Sequence, residues 1–191
     1  MRWLGAGLGR KALYTVPALL CLLLFVVATP VQMVLPNLPL LRVKPDLPAL
    51  LIAYAAFRLP IIVSFGLAAA AGFWRDLLTA GPIGPSVFAF TLAAILVFLL
   101  RESLSWRSLP FFPPLAGLAT FAVLASSHAV RLLELRHWGG IAAAWGEFGI
   151  ASALTAVISF PVGWAFDWSF RLLQAKAPEE QEEDLVEIEW L

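Results

Sequence analysis

The chain is constrained first by apolar runs that recur at about the length needed to cross a bilayer, separated by short charged, proline- or glycine-rich connections. These runs lack the polar–apolar alternation of transmembrane barrel strands. With 61% hydrophobic and 14% charged residues and a mean hydropathy of +0.86, the composition lies far outside that of soluble domains. The reading is an all-α, polytopic membrane protein with essentially one domain. Residues 1–176 form six transmembrane helices, some short or irregular, at about 12–35, 46–58, 60–80, 86–101, 111–130 and 141–171. Residues 177–191 form an acidic cytoplasmic tail.

The first run follows Arg2, Arg10 and Lys11, a start that would also suit a secretory signal. Pro30 directly after Ala28-Thr29, and apolar character continuing to Leu35, favour an uncleaved first span. The stretch Pro45–Gly84 then decides the topology. Asp46 fits a helix N-cap, with Pro48 tolerated in the first turn, so its carboxylate would serve the amide of Ala49. The apolar run reaches only Phe57 before Arg58 and Pro60, and its twelve or so residues rise about 18 Å, short of a ~30 Å hydrocarbon core. Either residues 47–74 make one span kinked at Pro60, or they make a hairpin turning at Arg58. With the amino terminus inside, the hairpin puts eight Lys/Arg in the inner segments and four in the outer ones. A kinked span gives five and six and leaves Arg58 in the membrane. The charge rule selects the hairpin, six spans and both termini in the cytoplasm.

The third span then runs outward and brings Asp76 near the outer surface, on a stripe with Gly72 and Ala68 where another helix can approach closely. Trp74 falls on another side and suits the lipid interface, and Arg75 can snorkel. Asp76 has three readings: a cap for the turn or the fourth helix, a partner or ligand contact, or a protonatable transport residue. Gly81-Pro82-Ile83-Gly84-Pro85 is dense turn chemistry, and Ser86 is a candidate N-cap. Residues 131–140 (RLLELRHWGG) read as a short interfacial segment, and Glu147 and Asp167 as interfacial charges of the sixth span.

The formal net charge of zero hides an asymmetry. Seven acids and no base lie between Glu179 and Glu189, leaving thirteen bases against six acids elsewhere. The acidic tail ends in a cluster of apolar residues that suits docking on a cytoplasmic partner. Cys21, the single cysteine, reads as a small buried hydrophobe. His128 and His137 lack metal-ligand spacing, the serines form no nucleophile–base–acid set, and the glycines form no phosphate loop. The reading assigns no catalytic residue, metal, cofactor or nucleic acid, and the chain is taken not to be an enzyme.

Pro45-Asp46-Leu47 opening a short apolar helix, Arg58 at its end, Gly72 with Asp76-Leu77-Leu78, and Gly81-Pro82-Ile83-Gly84 together resemble the rod shape-determining protein MreD family. The resemblance covers most of residues 10–172, with its motifs mainly in 45–100, and the acidic tail departs from it. It implies a non-enzymatic inner-membrane scaffold of the bacterial cell-elongation complex. Such proteins bind MreC and help link MreB filaments to RodA and a penicillin-binding transpeptidase in lateral peptidoglycan synthesis. It also implies a fold similar to the substrate-binding subunits of energy-coupling-factor vitamin transporters. Asp46, Arg58, Gly72, Asp76, Gly81, Pro82 and Gly84 become the structural or partner candidates. The competing function is a substrate-binding membrane subunit of a vitamin-type transporter.

Overall fold

A computed structural model describes residues 5–36, 43–79, 82–103, 109–135 and 141–175. Within them the chain forms six α-helices: α1 (Gly5–Val34), α2 (Leu47–Arg58), α3 (Ile61–Leu78), α4 (Pro85–Ser103), α5 (Phe112–Leu135) and α6 (Ile141–Ala175). A 3-10 turn, Leu109–Phe111, leads into α5. Four segments are long and apolar enough to cross a membrane: Ile61–Leu78, Pro85–Ser103, Leu109–Val130 and Ala144–Ser169. Gly81, the connection 104–108, residues 136–140 with His137, and the tail 177–191 lie outside the described residues.

Contacts at the helix ends fix the direction of each element. Ser64 Oγ donates to Ala55 O at 3.0 Å, bridging the Leu59-Pro60 break, and Arg75 meets Asp46 at 3.5 Å at the far end of the same two helices. Positions nearly equidistant from the break touch one another, so α2 and α3 are an antiparallel hairpin and not one kinked rod. Asp46 also meets α6 through Thr155, while Arg58 meets α6 through Asp167. With α4 and α5 following in register, the six helices run alternately up and down. The amino end of α1 and the carboxyl end of α6 fall at the Arg58 end.

The shortest helix sits at the centre. Every residue of α2 from Pro48 to Phe57 is buried, and α2 packs on all five other helices. A helix that is apolar on every side is stable only when it is surrounded, and the sequence LPALLIAYAAF offers no polar face. The other helices form a wall in the order α1, α3, α4, α5, α6. Tyr54 of α2 packs between Phe112 of α5 and Phe166 of α6, with ring centroids 5.5 and 4.8 Å away, and Phe25 of α1 meets Phe90 of α4 edge-on at 5.7 Å. Cys21 lies buried in this core.

Small residues set the closest approaches. The α3 face Ser64, Ala68, Ala71, Gly72 and Asp76 is buried, and a Cβ placed on Gly72 would lie 2.4 Å from the Cα of Val87 on α4. Only the hydrogen of glycine lets the two backbones come so near.

Three local expectations are corrected. Trp74 is partly buried against the core instead of lying at the lipid interface, because α3 is covered by α1 as well as by α4. Of the segment RLLELRHWGG, residues 131–135 continue α5 instead of starting a new element, as their leucines permit, and 136–140 lie outside the described residues. Ser86 is not the N-cap of α4, which already begins at Pro85, a residue pre-set for the first helical position.

Candidate functional site

A central helix of twelve residues spans about 18 Å, so both of its ends are enclosed by longer neighbours. Inside a bilayer, the free amides and carbonyls of such ends need partners within the protein. Several polar side chains of the described residues gather at these two places.

At the amino end of α2, Asp46 is extended and its Oδ1 accepts from the Ala49 amide at 3.0 Å. Its own N–H donates to Thr155 Oγ1 at 3.1 Å, and the Leu47 N–H donates to Gln32 Oε1 at 3.3 Å. Pro48 has no N–H to satisfy. Side chains of α1 and α6 therefore complete the start of α2. Asp46 Oδ2 faces Arg75 Nη1 at 3.5 Å, and the Arg75 guanidinium lies over the Phe90 ring at 5.3 Å, so Arg75 turns inward instead of snorkelling. Lys44 donates to Gln32 O at 2.6 Å and Leu35 O at 3.3 Å, closing the carboxyl end of α1.

Asp76 stands at the same end with both oxygens engaged. Its Oδ2 accepts from the Gly84 amide at 2.7 Å and its Oδ1 from the Ser86 amide at 3.2 Å. This is a carboxylate at the positive end of α4, and it ties the last turn of α3 to the first of α4. Gly84 holds φ = +127°, a conformation that glycine adopts without a steric cost. Pro82 is exposed in the turn.

The carboxyl end of α2 is closed by cations. Arg101 Nη1 donates to Phe57 O at 2.7 Å and Ala56 O at 3.1 Å, matching positive charge to the negative end of the helix. Arg58 pairs with Asp167 of α6. The structure thus brings Asp46, Gly72, Asp76 and Gly84 towards one end of the hairpin and leaves Arg58 at the other.

Because α5 and α6 continue past the start of α2, a cavity of about 370 Å³ remains above it. Gln32, Lys44, Asp46, Arg75, Glu147 and Phe148 are among its lining residues. Of these, sequence reading singled out Asp46 as a candidate. In the sequence Arg75 reads as a snorkelling residue and Glu147 as an interfacial charge, Lys44 is one of the four outer loop charges, and Gln32 and Thr155 carry no motif. A polar residue inside an apolar run was the available cue for those last two.

Among protein families, the one described as rod shape-determining protein MreD matches residues 13–138, well over half of the chain. The match spans α2, α3, α4 and the turn that Asp76 closes. No curated protein and no solved structure matches the chain.

Proposed function

Because this chain belongs to the rod shape-determining protein MreD family, we propose that it is the inner-membrane scaffold that holds MreC within the bacterial cell-elongation complex. A role in rod shape determination follows from the family itself. The finer reading is that the bundle binds MreC and, through the assembly, connects MreB, RodA and a penicillin-binding transpeptidase. The observation that carries it is the filled centre of the bundle. Where a translocation path would run, α2 is buried along its length and its ends are bonded to α1, α3, α4 and α6. A bundle built this way presents fixed outer surfaces and suits holding other proteins. Loop charges supply the orientation: both termini in the cytoplasm, with the Asp46 end outward.

The test is affinity purification from native membranes with identification of the co-purifying proteins. MreC is expected at stoichiometric yield, together with loss of rod shape on depletion. Normal shape after clean depletion, with no MreC recovered even after cross-linking, would overturn the reading.

The cavity supports a second reading, a vitamin-type transporter subunit with the energy-coupling-factor fold, since 370 Å³ lies within the range of small-molecule sites. That reading requires a saturable soluble ligand. A vitamin screen by thermal shift that gives no stabilisation removes it for the compounds tried.

A further inference from the structure

Two groups of opposite charge line the cavity with bonding capacity left over. Arg75, on α3, faces Asp46 through a buried Nη1 that makes no hydrogen bond, and the rest of its side chain, 25% exposed overall, lines the cavity. Glu147, on α6, is exposed and has no ion pair or hydrogen bond among the described residues. The other two charges are committed. Lys44 donates to the Gln32 and Leu35 carbonyls, and the Asp46 carboxylate accepts from the Ala49 amide and faces Arg75.

The four formal charges cancel, so the cavity as a whole selects neither anions nor cations. A simple anion would find Asp46 and Glu147 among the lining charges, and a simple cation would find Arg75 and Lys44. A molecule carrying both signs complements the remaining donors of Arg75 and the carboxylate of Glu147 together.

The surroundings indicate where such a molecule comes from. The helices flanking the cavity expose apolar side chains: Val34 of α1 is 84% exposed, and Trp145 and Ile150 of α6 are 48% and 42% exposed. Tryptophan suits the headgroup level of a bilayer, and about 370 Å³ accommodates a headgroup but not a whole lipid. We propose that the cavity holds the headgroup of a zwitterionic phospholipid, its phosphate towards Arg75 and its primary ammonium towards Glu147. The acyl chains lie along the outward faces of α1 and α6. This goes beyond the scaffold reading and does not depend on it.

The full-length protein, purified and reconstituted with equal amounts of phosphatidylethanolamine, phosphatidylcholine and phosphatidylglycerol, tests the assignment by native mass spectrometry of retained lipid. Phosphatidylethanolamine should be retained about tenfold over phosphatidylglycerol, the scale of one charge-assisted hydrogen bond. Phosphatidylcholine should fall below phosphatidylethanolamine, because its quaternary ammonium has no N–H. Glu147→Gln should remove most of this preference and Glu147→Lys should reverse it towards phosphatidylglycerol. Glu147 is exposed, so neither variant should disturb folding, and an unchanged melting temperature verifies this. Equal retention of the lipids by the native protein, or a preference untouched in both Glu147 variants, overturns the proposal. Stoichiometric binding of soluble O-phosphoethanolamine without lipid selectivity also overturns it, by assigning the cavity to a soluble zwitterion.

Discussion

Asp76 accepts from two amides that lie eight and ten residues further along the chain, and this geometry sets what its replacement should do. A buried carboxylate receiving two N–H groups acts as a cap and a clasp together, and removing it leaves two donors at the start of α4 without a partner. Asp76→Ala should lower unfolding stability by about 1–3 kcal/mol, the usual cost of orphaned buried donors. Asp76→Asn keeps one carbonyl oxygen and should lose less than half as much. Thermal denaturation in detergent checks both, and wild-type melting temperatures for both variants would mean that the clasp carries no weight. Gly84 works with Asp76, because its φ of +127° delivers its amide to the carboxylate. Gly84→Ala should therefore destabilise by about 1 kcal/mol or more through backbone strain alone, in the same assay.

Among the elements, α2 was the most legible and also the most incompletely understood. Its N-cap, its early proline and its end at Arg58 can all be read from spacing, since these are local rules acting within a few residues. Its burial on all sides cannot, because that depends on five other helices arriving around it. The same division separates Asp46 capping Ala49, three residues away, from Asp46 bonding Thr155, which is 109 residues away. Trp74 was misplaced for a related reason: a helical wheel shows which residues share a face but not how many neighbours cover the helix. The α3–α4 approach offers a sharp test at this scale. A Cβ on Gly72 would lie 2.4 Å from Val87 Cα, whereas one on Gly66 of the same helix would meet nothing within 4 Å. Gly72→Ala must push two backbones apart and should cost about 1–3 kcal/mol. Gly66→Ala should be neutral or slightly stabilising, as expected for replacing glycine in a helix. Comparable melting temperatures for these two variants would contradict the packing of α3 on α4.

For the molecule as a whole, the mismatch between a twelve-residue centre and walls of up to thirty-five residues produces both the polar ends and the cavity. The recurrence of apolar runs lets six helices be anticipated, while the space left above α2 could not be. Which end faces outward rests on loop charge, and the two ends differ enough chemically to be assigned by labelling. Cys21, the only cysteine, is buried and can be replaced by alanine to give a silent background. Glu147→Cys would then mark the cavity end and Ser103→Cys the Arg58 end, both being exposed positions. In intact cells a membrane-impermeant maleimide should label Cys at 147 and should reach Cys at 103 only after the membrane is permeabilised. The opposite pattern would leave every helix contact intact but turn the cavity towards the cytoplasm. Under the proposed scaffold reading a periplasmic partner would then meet this bundle through its other end or its flanks, and a headgroup in the cavity would come from the inner leaflet.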